Sequence, residues 1–212
     1  MEHKKSTILS EVGLQVWRGA FLLNDFVLCK RELFSNKTIL ELGSGVGLTS
    51  ILASIYAKKV LCTDINISGI LDLIKRNVEL NKSYQRYPKN VEVLELDFLA
   101  ERFPVKLEEE LKLVDICFAA DVVYDDDITD AFIKTILKLF KASPKMQELL
   151  IALEKRYVFI ESACAPMYEY FLTNFQREIA GVLKFSEIST QFPQYFEYDR
   201  CKELVLIRLT RV

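Results

Sequence analysis

The stretch Thr38-Ile39-Leu40-Glu41-Leu42-Gly43-Ser44-Gly45-Val46-Gly47 decides the fold. A short apolar, β-rich run passes directly into three alternating glycines, and a helical pattern, Leu48–Ala57, follows at once. Glycines in that place let the backbone turn tightly and approach a ligand without obstruction by Cβ. A strand, a glycine turn and a helix in succession open a βαβ unit. In open α/β sheets ligands bind outside the carboxyl end of such a strand.

Working outward, β-rich runs alternate with helical patterns to the end of the chain. The strand candidates are Thr38–Leu42, Val60–Thr63, Val91–Leu96, Val114–Ala119, Leu149–Leu153, Lys184–Ser189 and Leu204–Leu209. Helical patterns fall at Leu48–Ala57, Ile67–Asn81, Ile128–Lys141 and Cys164–Ile179. Strands that are almost wholly apolar, such as Val114–Ala119, belong in a parallel sheet covered by helices on both faces. The predicted class is α/β: one doubly wound, Rossmann-like domain with a seven-stranded, mostly parallel sheet. Gln191–Arg200 holds Pro193 and several aromatics and is a loop rather than a helix, so the last strand pairs antiparallel with its predecessor. Residues 1–11 form a polar tail and 12–212 a single domain. Within it, 12–37 is an N-terminal helical segment whose pattern, Val12–Leu33, packs at the sheet edge or mouth.

Composition narrows the chemistry. The 212 residues carry a formal net charge of -2, which gives no global attraction to nucleic acid or to an anionic membrane. No apolar run reaches the ~18 residues that span a bilayer. The five cysteines have no ligand-like spacing, and an odd, scattered set points to a reducing, intracellular compartment, nucleus or cytoplasm. The single histidine, His3, lies in the polar tail, which removes Ser-His-Asp hydrolysis and histidine-based metal sites. No metal is expected, and the domain is expected to act as a monomer.

The cofactor is read from the acids around the turn. Asp64 ends the second strand, where a carboxylate can accept hydrogen bonds from both hydroxyls of a ribose. The glycines follow GxGxG, with Leu48 where a dinucleotide fingerprint would place its third glycine. Glu41 stands two residues before the first glycine, and an acid facing the ligand suits a cationic amino-acid moiety better than a pyrophosphate. Asp97 and Phe98, after the third strand, form an acid–aromatic pair suited to an adenine amino group and ring. Together these favour S-adenosylmethionine, with S-adenosylhomocysteine as product, over NAD.

The fourth strand runs into Ala119-Ala120-Asp121-Val122-Val123-Tyr124, a DxxY pattern at the same sheet edge. With QVWRGA (Gln15–Ala20), ELGSGVG (Glu41–Gly47), CTD (Cys62–Asp64), LDF (Leu96–Phe98), AADVVYDDD (Ala119–Asp127) and LEKR (Leu153–Arg156), the chain resembles the seven-strand methyltransferases of lysine methyltransferase family 16. The resemblance covers Glu11 to the C-terminus. It implies that Trp17 backs the cofactor pocket, that Glu41, Gly43, Gly45 and Ala120 line it, and that Asp64 binds the ribose. It also implies that Asp97 and Phe98 hold the adenine, with Phe98 in place of the tryptophan of many relatives and therefore a weaker stacking partner. Asp121 and Tyr124 match the signature beside the methyl-transfer site, and the resemblance implies a protein substrate that presents a lysine.

On that reading a neutral lysine amine attacks the sulfonium methyl in line. Deprotonating a lysine at pH 7 costs roughly 4–5 kcal/mol, which desolvation in an aromatic mouth would offset. Tyr124 can accept a hydrogen bond from the amine and offer its ring to the cation. Asp121 is assigned positioning rather than base chemistry, because a close anion stabilises the protonated amine. Glu154, Arg156 and Phe159, after the fifth strand, are candidates for the substrate mouth. Two other functions stay open. One is methyl transfer to a non-protein substrate, which DVVY in place of an [ND]PPY turn disfavours. The other is a cofactor-binding interaction module without turnover, which the intact acids and glycines disfavour.

Overall fold

The computed structural model describes residues 1–5, 9–156 and 166–212. Seven strands form one sheet: β1 (Thr38–Leu42), β2 (Lys59–Asp64), β3 (Val91–Glu95), β4 (Ile116–Ala120), β5 (Glu148–Glu154), β6 (Leu183–Ile188) and β7 (Leu204–Arg211). Their order is β3-β2-β1-β4-β5-β7-β6. The first five are parallel, while β7 runs antiparallel between β5 and β6. The class expected from the sequence is the class observed, and strand limits agree to within two residues.

Burial shows why the strands are so apolar. Along β1, Ile39 packs with Val60, Ile116, Phe118 and Leu150 on one face, while Leu40 and Leu42 pack with Leu61, Cys117, Leu149 and Ile151 on the other. The first face is covered by α1 (Arg18–Cys29) and α3 (Leu48–Ala53), and α4 (Ile70–Leu80) continues it beside Cys62. The second is covered by α5 (Val105–Leu111), α6 (Asp126–Ala142) and α7 (Pro166–Ile179). Helix α6 begins where acids are favourable: the Asp125 side chain accepts from the Ile128 amide at 3.1 Å, and Asp126 and Asp127 fill the first turn.

The differences from the sequence reading lie mainly at helices: α3 ends at Ala53 rather than Ala57, and α4 runs from Ile70 to Leu80 rather than from Ile67 to Asn81. The segment Val12–Leu33 is not one helix, since α1 starts only at Arg18 and a short helix, α2 (Arg31–Phe34), follows it. The residues before Arg18 form a 3-10 turn at Leu9–Leu14 and reach α1 through an extended Trp17, and Val12–Trp17 line the cavity described below. Helix α5 has no counterpart among the predicted elements. It is only seven residues long, starts after Pro104 and buries just Leu107 and Leu111, a pair too short to stand out as a period. The polar start of the chain is tied down, with the Glu2 amide donating to Asn77 Oδ1 at 2.6 Å and Lys4 bridging to Gln15.

The sheet order reverses between β1 and β4, and α/β sheets open a crevice at such a point. The glycine turn, Asp121 and the ends of β2, β3 and β5 all emerge at this edge. Because β7 is antiparallel, the connection 189–203 that precedes it also lies there, against the first turns of α1. A single buried acid fixes that connection. Asp25 of α1 has no solvent exposure and accepts from the amides of Tyr195 (2.7 Å) and Phe196 (3.2 Å), from the Tyr198 hydroxyl (2.9 Å) and from the Arg200 guanidinium. Phe21 stacks on Phe196 and Tyr198, with ring centroids 5.5 Å from each.

Candidate functional site

A cavity of about 290 Å³ runs across the carboxyl edge of the parallel strands. Its walls include Trp17, Glu41, Gly43, Gly45, Asp64, Asp97, Phe98, Ala120, Asp121, Tyr124 and Arg156. Those eleven residues, flagged separately in the sequence, are thus brought to one place. Glu154 is not among the lining residues, and its carboxylate pairs with Arg18 at 3.1 Å. Phe159 lies outside the described residues.

The turn after β1 uses its glycines sterically. Gly43 and Gly45 have φ of +60° and +56°, which L side chains rarely adopt. A Cβ on Gly43 would meet Val122 Cγ1 at 2.8 Å, and one on Gly45 would meet the Gly13 carbonyl oxygen at 3.0 Å. Across the turn stands Asp64, which accepts from the Gly45 amide at 2.7 Å and from the Ile65 amide at 2.8 Å. Each oxygen therefore keeps lone pairs for the cavity. Burial pushes the Asp64 carboxyl up to about 6, against the lowering effect of those two amides.

Glu41 is 2% exposed at the end of β1. The Ser50 hydroxyl of α3 donates to its Oε2 at 2.5 Å, and burial pushes the carboxyl up to about 7. Among the described residues no cation pairs with it, although it faces the cavity. At the other end Asp97 accepts from the Leu99 amide at 2.9 Å. Half-buried Phe98 packs on Phe132, centroids 5.4 Å apart, and reaches over the turn toward Gly43.

Asp121 follows β4 with φ of +51°, and both of its oxygens are engaged by backbone amides. Oδ2 accepts from Gly19 at 2.6 Å and Oδ1 from Glu154 at 3.0 Å. Burial raises this carboxyl, while Arg156 and the two amides lower it. Asp121 thus ties the start of α1 and the end of β5 to the cavity. Tyr124, 37% exposed, stands at the rim, and burial together with Asp64 and Asp125 raises its phenol above the ordinary value. It is therefore a neutral phenol near pH 7. Opposite, the Arg156 guanidinium lies 4.4 Å over the Trp17 ring, whose Nε1 donates to the Val12 carbonyl at 2.9 Å.

Several contributors carry no sequence signal of their own. Val12, Gly13 and Leu14 line the cavity from the end of the 3-10 turn, Ser50 acts only because α3 turns it back on Glu41, and Gly19, quoted only as part of QVWRGA, matters through a contact 102 residues away. Among the described residues no cluster of three or more His, Cys, Asp or Glu side chains could hold a metal.

Glycine turn, strand-end acids and topology together define a Rossmann-like domain of the seven-strand methyltransferase class. The pattern of the family described as lysine methyltransferase matches residues 3–175, and the chain belongs to that family. It is 36% identical to methyltransferase-like protein 22 of Homo sapiens over 99% of its own length and 56% of that protein's. It thus spans just over half the length of that relative. Over 94% of this chain and 75% of the other it is 26% identical to EEF1A lysine methyltransferase 3 of Xenopus tropicalis. A SAM-dependent methyltransferase from Aquifex aeolicus shares the fold, with a TM-score of 0.60, 16% identity and coverage of 92% and 93% of the two chains.

Proposed function

We propose that this chain transfers a methyl group from S-adenosylmethionine to a lysine side chain of a protein substrate. The observation that carries the reading is the order of chemistry along one cavity: an adenine-side acid and aromatic (Asp97, Phe98), a ribose-side acid (Asp64), a buried acid for an ammonium (Glu41), and a tyrosine at the open rim (Tyr124). Glycines without Cβ leave room for a ligand against the turn. A dinucleotide would bring a pyrophosphate beside Glu41, where a buried carboxylate repels it.

The cofactor would supply an electrophilic sulfonium methyl. The chain supplies orientation, exclusion of water and a place for the nucleophile. Asp64 accepts the ribose hydroxyls and Glu41 the ammonium, while Phe98 flanks the base. Tyr124 receives the incoming amine, its phenol oxygen accepting a hydrogen bond and its ring face tolerating residual positive charge. With both oxygens held by amides, Asp121 positions the walls rather than taking the amine's proton. The relatives named as lysine methyltransferases support a lysine acceptor, as does Asp121-Val122-Val123-Tyr124, which lacks the paired prolines of an amide or base-amine site.

The test is transfer of labelled methyl from S-adenosylmethionine to cell extract from which the native enzyme has been deleted. Label that protease destroys, and that hydrolysis releases as methyl-lysine, is the expected result. Label in nucleic acid or small molecules would move the function to the non-protein reading, and cofactor binding with no transfer would favour an interaction module.

A further inference from the structure

We propose that Arg156 is the carboxylate anchor of the cofactor site, its guanidinium receiving the α-carboxylate of the ligand's amino-acid end. This rests on the S-adenosylmethionine reading above. The sheet sets the order of side chains along the cavity. With strands in the order β3-β2-β1-β4-β5, the residues ending them present Asp97, Asp64, Glu41, Asp121 and finally Arg156. Neighbouring strands lie about 4.8 Å apart, so adenosine at β3 and β2 leaves the amino-acid tail extending across β1 toward β4 and β5. That tail ends in one cation and one anion. Glu41 meets the cation, and among the described lining residues Arg156 is the only basic side chain available to the anion.

The guanidinium is also prepared for the task. Its Cζ sits over the Trp17 ring, 4.4 Å from the centroid, and the indole is pinned by its hydrogen bond to the Val12 carbonyl. A cation held over an aromatic ring keeps N–H donors with which to meet a carboxylate, and a guanidinium can do so bidentately. Nearby acids are otherwise engaged. Both Asp121 oxygens take backbone amides, and Glu154 pairs with Arg18. Among the described residues the Arg156 guanidinium makes no hydrogen bond or ion pair to a carboxylate, and the nearby Asp121 charge acts on it only through space.

The experiment is calorimetric binding of S-adenosylmethionine and of decarboxylated S-adenosylmethionine, which keeps the sulfonium, the amine and the adenosine. The intact protein should prefer the carboxylated ligand by about ten- to hundredfold, the worth of a charge-assisted hydrogen-bonded pair. Arg156→Gln should lose that preference while binding the decarboxylated ligand as before, which shows that the variant is folded. Arg156→Lys should retain part of it. Equal binding of the two ligands by the intact protein overturns the assignment, as does an Arg156→Gln variant that keeps the preference and shows only a raised KM for the protein substrate. Failure of the intact protein to bind either ligand overturns the cofactor reading itself, and the anchor with it.

Discussion

The amide of Gly19 donates to Oδ2 of Asp121 at 2.6 Å, across 102 residues of sequence. The approach is possible only because residue 19 has no side chain: a Cβ there would stand 2.6 Å from the same oxygen and 2.9 Å from the Ala152 carbonyl. One carboxylate thus joins the helix carrying Trp17 at its start to the strand end carrying Arg156, and those two residues stack to form a cavity wall.

Gly19→Ala should therefore cost about 1–3 kcal/mol of stability, because neither the carbonyl nor the doubly bonded carboxylate can withdraw. It should also displace the wall. Trp17 is the sole tryptophan, so its emission reports on that wall directly. Chemical denaturation and emission spectra check both parts, and an unchanged spectrum at unchanged stability would show that the contact gives way freely.

Substitutions of Asp121 should rank in a particular order. Asn tolerates a left-handed backbone and keeps one acceptor, so Asp121→Asn should cost least. Asp121→Gly loses both acceptors but relieves the φ of +51°. Asp121→Ala loses both and keeps the strain, leaving two buried amides unpaired at about 1–3 kcal/mol each. Denaturation midpoints give the ranking. A direct role in holding the amine would instead leave stability level across the three and lower turnover alone.

The part of this site that was legible in the sequence is the part fixed by local pattern. Strand, glycine turn and strand-end acid recur at fixed positions along the chain, so Glu41, Gly43, Gly45, Asp64 and Asp97 stand out before any coordinates are known. Their meeting in one cavity follows from parallel strands in right-handed succession. Asp25 shows why the rest was hidden. In sequence it is one acid within an apolar helix, and its partners begin 170 residues later in a loop without period. Asp121 was visible as part of a motif, but its two amide donors come from residues 19 and 154, and no spacing rule connects them.

Asp25 supports a further prediction. Asp25→Ala strands the Arg200 guanidinium and two amides, a loss of about 3–5 kcal/mol for a broken buried pair. The loop 190–200 should then open to limited proteolysis before the sheet unfolds. Cleavage sites mapped by mass spectrometry check this, and cutting elsewhere first would show that the aromatic stack on Phe21 holds the loop alone.

The rim tyrosine separates binding from transfer. Its phenol stays protonated at neutral pH, since burial and the charges of Asp64 and Asp125 raise it. Tyr124→Phe keeps the ring and loses the oxygen, so the methylation rate should fall about tenfold or more while cofactor affinity holds. Tyr124→Ala should fall further. Equal rates for Tyr124→Phe and the intact protein would place the amine elsewhere on the rim.

Glu41 and Asp64 make the cavity sensitive to pH. Burial raises both carboxyls, to about 7 and about 6, so between the ordinary carboxylate range and those values the folded chain holds more protons than the unfolded one. The stability these groups contribute is therefore fully present below about pH 4 and is lost as pH rises through 6 to 7. A cationic, ribose-bearing ligand favours the ionised form of both acids, so its binding must expel protons wherever they are still bound. Calorimetry in buffers of different ionisation enthalpy should count about one proton released per S-adenosylmethionine near pH 6 and close to none near pH 7.5. Apparent affinity should rise with pH until about 7 and fall again above about pH 8, where the ligand's own ammonium loses its proton. An affinity flat from about pH 5.5 to 7.5 would mean that both acids are already ionised in the free protein, and Glu41→Gln, which cannot lose a proton, should halve the count or better while weakening the ligand at every pH.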